Sequence, residues 1–206
     1  MSPQTLTRRP LVIYGAGGHG RVVADAAAAA GAKVLGYLDD QPERYIEEGI
    51  RLFDPAAPEL EEAAIIVAIA DNRTRRTIAE RLGAQGRPLQ SVAHPAASRS
   101  RLAEIGKGTF LGPQTAVSTG ARVGEGVIIS SGAIVEHHAR LGAWSQVGPG
   151  AVLGEKVELG EAATIGLGAR VLPGVRIGAR ADVAAGAVVA RDVPDDATVS
   201  DVSGPG

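Results

Sequence analysis

Glu136, His137 and His138 stand side by side in the stretch AIVEHHARLG, and the two imidazoles are half of the four histidines in the chain. Imidazole ionises near neutral pH, so a positioned histidine is the commonest group to take a proton from an attacking amine or hydroxyl. The competing reading is a solvated corner or a polar contact between subunits. A second group lies near the start, where GAGGHG sets Gly15, Gly17 and Gly20 in the spacing G-x-G-x-x-G around Gly18 and His19. Asp39 and Asp40 follow some twenty residues later. Between a strand and a helix, such glycines let a phosphate approach the backbone and the unpaired N–H groups of the helix start. The bland alternative is a tight turn for close strand–helix packing, with His19 a turn residue without chemistry. An NAD-dependent oxidoreductase would use the same fingerprint, with Asp39 on the ribose. Against it, the α/β part is short and nearly half of the chain is a repeat with no role in hydride transfer.

That repeat has to position the histidines. Stepping by six from Ile105 to Val189 gives fifteen residues, all Ile, Leu or Val, and nine of them are followed by Gly. The residue four places after each is Thr, Ser, Ala or Val, from Thr109 to Val193. An inward aliphatic every six residues, with a small inward residue between, suits short strands joined by tight corners. Three hexapeptides then close one triangular coil, and coils stack about 4.8 Å apart by parallel pairing. Residues 105–194 hold five such coils without an insertion. In this frame His137 and His138 fall on a corner and face out of the prism, so core packing does not account for them.

The front of the chain reads as a small parallel α/β domain of three or four strands. PLVIYG, KVLGYLDD and AAIIVAIA are strands; GHGRVVADAAAAAG is a helix closed by Gly31, and DNRTRRTIAERLGAQG is a helix capped by Asp71. The expected domains are 1–92, binding a nucleotide sugar, and 93–206, the repeat domain. A net charge of −2 gives no attraction to nucleic acid or an anionic membrane. Without Cys there is no disulfide, thiolate metal site or Cys nucleophile. The opening MSPQTLTRRP lacks a signal-peptide core, no run approaches a membrane span, and the cytoplasm is the expected location. The tail SDVSGPG reads as a disordered end. No metal site is expected from four scattered histidines.

The combination GAGGHG, YLDD, AIADN, HP and IVEHHARLGAWSQVGPGAVLGEKVELG resembles the sialic-acid O-acetyltransferase-type family of sugar acyltransferases, from about Leu11 to Ser200. Within that family the chain is most similar to N-acetyltransferases of nucleotide-linked 4-amino-4,6-dideoxy sugars. The resemblance implies a left-handed parallel β-helix behind a Rossmann-like domain, a homotrimer, and acetyl-CoA in the groove between subunits. It implies His137 as general base, flanked by Glu136 and His138. Gly17, Gly18, His19, Asp39, Asp40 and Ala70 match the nucleotide-sugar site, and Gln146, Leu167 and Ala185 the acetyl-CoA contacts. The chain departs from the pattern in three places. His138 stands where an acidic residue commonly follows the base, so support for His137 has to come from Glu136 or another carboxylate. Gln146 replaces a His near the thioester, and Ser130 an Asn before the EH pair. An O-acetyltransferase acting on a sialic acid or related sugar, or a non-catalytic nucleotide-sugar-binding trimer, are the alternatives.

Overall fold

The computed structural model describes residues 9–200; MSPQTLTR and DVSGPG, on which the readings of the two ends largely rest, lie outside the described residues. The front unit is a parallel sheet of β1 (Leu11–Tyr14), β2 (Val34–Leu38) and β3 (Ala64–Val67) in the order β2-β1-β3. Helix α1 (Gly18–Ala29) covers one face through Val23, Ala24 and Ala27, and α2 (Asn72–Ala84) the other through Ile78 and Leu82. Because both faces are covered, β1 and β3 are apolar without alternation and every residue in them is buried. Asp71 starts α2 as expected: its Oδ1 accepts from the Thr74 N–H at 2.7 Å.

The rest is a left-handed parallel β-helix of about six turns. Two-residue strands build three flat faces. The first runs from Val92–Ala93 to Thr198–Val199, the second from Ser98–Arg99 to Val188–Val189, and the third from Glu104–Ile105 to Arg176–Ile177. Each strand pairs with one eighteen residues on, as Ile128 does with Gln146 and Ile134 with Val152. The aliphatic column of the repeat and the small residues between fill the prism, with Val135, Ala139, Val147 and Ala151 fully buried.

The repeat's glycines answer two separate demands. A residue in the left-handed conformation turns nearly every corner, three places after the aliphatic; Gly126 and Gly168 serve there, but so do His138 (φ 59°) and Trp144 (φ 61°). The glycine directly after the aliphatic is needed for space instead. A Cβ on Gly142 would lie 2.5 Å from the backbone N of Glu161 in the next coil. At the far end the pattern shortens. Val193 pairs with Ile177 and Thr198 with Asp182, sixteen positions apart instead of eighteen. Val193 therefore takes the aliphatic place of a clipped repeat, not the small-residue place that strict counting assigns to it.

The α/β unit sits on the first face. Helix α1 packs on Val92, Phe110 and Ile128, and α2 reaches Trp144 on the edge between the third and first faces. Trp144 is thus a buried contact between the two parts of the chain, away from His137.

Candidate active site

His137 and His138 lie on the edge between the second and third faces, which in a three-sided prism is the edge opposite the face that carries the α/β unit. The corner is open, with the His137 side chain 40 % exposed. Both ring nitrogens of His137 are engaged: Nε2 lies 2.8 Å from Oε2 of Glu155, and Nδ1 lies 3.0 Å from Nδ1 of His138. The two rings meet edge to face at 88°. Glu155 is the same corner one coil further on, so its sequence offset from His137 is one turn of the helix. Glu136 does not reach the imidazole. Its Oε2 accepts, at 3.3 Å each, from the Ser118 hydroxyl and from the backbone N–H of His137. The carboxylate that holds the ring is therefore Glu155, a residue that stepping eighteen places from His137 would have found.

The glycine loop divides by role. Gly15 (φ 110°) and Gly20 serve packing: a Cβ on Gly20 would meet the Gly15 carbonyl oxygen at 1.8 Å. Gly17 and Gly18 instead leave open ground at the start of α1. No side chain caps the helix at Gly17, so its first N–H groups are available to an anion. His19 turns edge-on to Phe110, and its Nε2 is buried without a partner. Burial, with help from the Arg75 charge, pushes its pKa down to about 4, so the ring is neutral near pH 7.

Both aspartates after β2 support this loop. Asp39 accepts from the Ala16 N–H through Oδ2 and from the Gln41 N–H through Oδ1, both at 2.9 Å, which ties the end of β2 to the glycine turn. Asp40 accepts from the Tyr14 hydroxyl and pairs with Arg81 at 3.3 Å. Burial, then Asp40, pushes the Tyr14 phenol up to about 12. Ala70 follows β3 and opens onto a cleft with Asn72, Arg76, Glu161 and Thr164.

Behind that cleft Arg75 joins the two parts of the chain. It is 1 % exposed. Its Nε donates to the Gly126 carbonyl, Nη1 to Ile69 and Ala70, and Nη2 to Asn72 Oδ1 and the carbonyls of Trp144 and Ser145, at 2.7–3.3 Å. Burial pushes this guanidinium down to about 10, partly offset by Asp71. Nothing in the sequence marks it out among the arginines of α2.

Gln146 is half-buried on the first face, while Leu167 (61 % exposed) and Ala185 stack on the edge between the first and second faces. One chain therefore holds its candidate groups in three places: the glycine loop over the first face, Leu167 and Ala185 on the adjoining edge, and His137 on the edge opposite. No cluster of three His, Asp or Glu side chains able to hold a metal occurs among the described residues.

Known proteins share this build. Residues 10–82 match the PglD N-terminal domain, and 103–137 and 156–191 the hexapeptide repeat of succinyl-transferase. PerB from Caulobacter crescentus, solved with CoA and GDP-perosamine, is 38 % identical over 92 % of both chains, with a TM-score of 0.85. The acetyltransferase domain of PglB from Neisseria gonorrhoeae, solved with acetyl coenzyme A, is 35 % identical over 93 % of this chain and 95 % of its own, again at 0.85. UDP-N-acetylbacillosamine N-acetyltransferase of Bacillus subtilis (strain 168) is 31 % identical over 110 residues, a match spanning half the length of that relative. Agreement above 30 % identity across nearly the whole of both solved chains establishes that this protein belongs to the family of hexapeptide-repeat sugar N-acetyltransferases with a PglD-type N-terminal domain.

Proposed function

We propose that the protein transfers an acetyl group from acetyl-CoA to the amino group of a nucleotide-linked amino sugar, with His137 as general base and no acyl-enzyme. The observation that carries the reading is the Glu155–His137 pair at 2.8 Å on an open corner. A carboxylate accepts only, so it fixes the hydrogen on Nε2 and steadies the imidazolium that forms when the ring takes a proton. The sugar nitrogen adds to the thioester carbonyl as its proton passes to the histidine. The thiolate leaves and takes a proton back, and a backbone N–H at a corner steadies the oxyanion.

The acceptor's diphosphate belongs at the open start of α1, beside Gly17, Gly18 and His19. Asp39 and Asp40 shape its nucleoside end, and Ala70 borders it. Gln146, Leu167 and Ala185 are assigned to acetyl-CoA. Since one chain keeps the loop and the base on opposite sides of the prism, a neighbouring copy has to bring them together, which supports a trimer. The second face, with half-buried Ala116, Ile134 and Val152 in register, offers an apolar surface for that contact. Among the described residues no helix is long and apolar enough to cross a membrane; a cytoplasmic location is part of this proposal.

The test is CoA release from acetyl-CoA with GDP- and UDP-linked 4-amino sugars, their 4-hydroxy counterparts and a sialic acid. Turnover confined to the amines is expected. Turnover on hydroxyls alone would make the protein an O-acetyltransferase, and tight binding of both ligands without turnover would make it a binding trimer.

A further inference from the structure

The hydrogen-bond order along the catalytic edge assigns a role to His138, and this assignment rests on the reading of that edge as the proton acceptor. We propose that His138, through Nε2, is the atom that meets the proton of the substrate amine, and that His137 receives it by relay.

Oε2 of Glu155 accepts, so Nε2 of His137 carries a hydrogen. A neutral imidazole has one N–H, so Nδ1 of His137 is a lone pair. That lone pair faces Nδ1 of His138 at 3.0 Å, and two lone pairs would repel at that distance. Nδ1 of His138 therefore carries the hydrogen and donates it. One ring nitrogen of the His137–His138 pair is then left with a free lone pair, Nε2 of His138. His137 has no vacant position for the amine proton, whereas His138 does.

The step balances. The amine proton joins Nε2 of His138 as nitrogen bonds to the thioester carbon. The Nδ1 hydrogen of His138 moves to Nδ1 of His137, which becomes an imidazolium held by Glu155. When the carbon–sulfur bond breaks, the reverse shift returns one proton to the CoA thiolate, leaving amide, thiol and the starting histidines.

The surrounding charges favour this direction. His137 is flanked by Glu155, with Lys156 on the far oxygen of that carboxylate at 3.7 Å, and by Glu136 on its backbone side. His138 borders a hollow of about 290 Å³ with Glu104, Arg122 and Arg140. Arg122 spends its charge on Glu104 at 3.7 Å, while Arg140 has no ion-pair partner among the described residues. A positive charge is thus better placed on His137 than on His138. Room for the ring comes from Gly120, where a Cβ would lie 2.9 Å from Cδ2 and 3.0 Å from Nε2 of His138. The left-handed φ of 59° at His138 swings the ring back onto its neighbour.

The distinguishing variant is His138→Asn. Asn is at ease in the left-handed conformation, and its amide keeps a donor where Nδ1 was, but it has no base at the Nε2 place. Relay predicts that His138→Asn loses about 10²-fold in kcat with both KM values within about twofold, as His137→Ala also does. Wild-type turnover in His138→Asn with an inactive His137→Ala would overturn the relay and leave His137 as the direct base. Undiminished turnover in both variants would overturn the relay and the proposed base together. A second readout needs no substrate: nitrogen-15 NMR of histidine-labelled protein at neutral pH. The relay predicts the Nδ1–H tautomer at His138 and the Nε2–H tautomer at His137, and an Nε2–H tautomer at His138 would overturn it.

Discussion

Arg75 and the His137 corner are both polar constructions, and they are built on opposite principles. At Arg75 a guanidinium is sealed between the α/β unit and the prism, with every nitrogen bonded to a carbonyl or amide oxygen. At His137 the groups are two-fifths exposed, and in the proposed order the hydrogen bonds run in one direction, with a free nitrogen at one end. A saturated, buried group holds a geometry; an unsaturated, open one can exchange a proton. The contrast separates the part of the chain that sets positions from the part to which the chemistry is assigned by proposal.

The sharpest way to break the closed side is Arg75→Met. It leaves five carbonyl oxygens short of a donor, and a loss of about 3 kcal/mol or more in unfolding free energy is expected by chemical denaturation. Arg75→Lys should recover little, since three donors on a single nitrogen cannot reach acceptors spread around a planar fork of three nitrogens. On the open side, Glu155→Gln should leave folding unchanged and lower kcat on the order of 10²-fold. That is less than the loss of a buried triad carboxylate, because solvent shares the charge. An unchanged kcat would leave the pair without a catalytic role.

Two corner glycines then grade the prism itself. Gly126→Ala puts a Cβ 2.0 Å from the Trp144 ring at φ +64°, whereas Gly168→Ala, at φ +66°, meets nothing within 4 Å. The second should cost about 1–2 kcal/mol for the left-handed conformation, and the first distinctly more. Equal losses would mean that Trp144 moves aside freely. The remaining prediction concerns pH. The pKa of His19 falls from 6.5 to about 4 on folding, so the unfolded chain binds the extra proton first. Stability should decline as pH drops from about 6.5 towards 4 and level off below, and His19→Leu should remove that part of the slope.

The prism was legible because one short period repeats fifteen times, and an inward aliphatic cannot be misplaced for long. Its first coil was not, since Ala93 and Arg99 stand where the period wants an aliphatic; an end coil has a core on one side only, and both residues are exposed. The clipped repeat at Val193 escaped because a Val satisfies either inward place. The α/β elements followed from buried runs and the Asp71 cap. The candidate site on the edge was half visible: EHH announced itself, while Glu155 looked like one more surface carboxylate until the coil length placed it beside the ring. Arg75 gave no signal, since its acceptors are backbone carbonyls, which every sequence has.

The central claim is that the corner at His137 accepts the proton in acetyl transfer. It is tested most directly by His137→Ala, with turnover on the best amine acceptor measured beside calorimetric affinities for CoA and the nucleotide sugar. A loss of about 10²–10⁴-fold in kcat with both affinities within about twofold is the predicted result. Turnover equal to the parent enzyme would contradict it and move the chemistry to another part of the molecule.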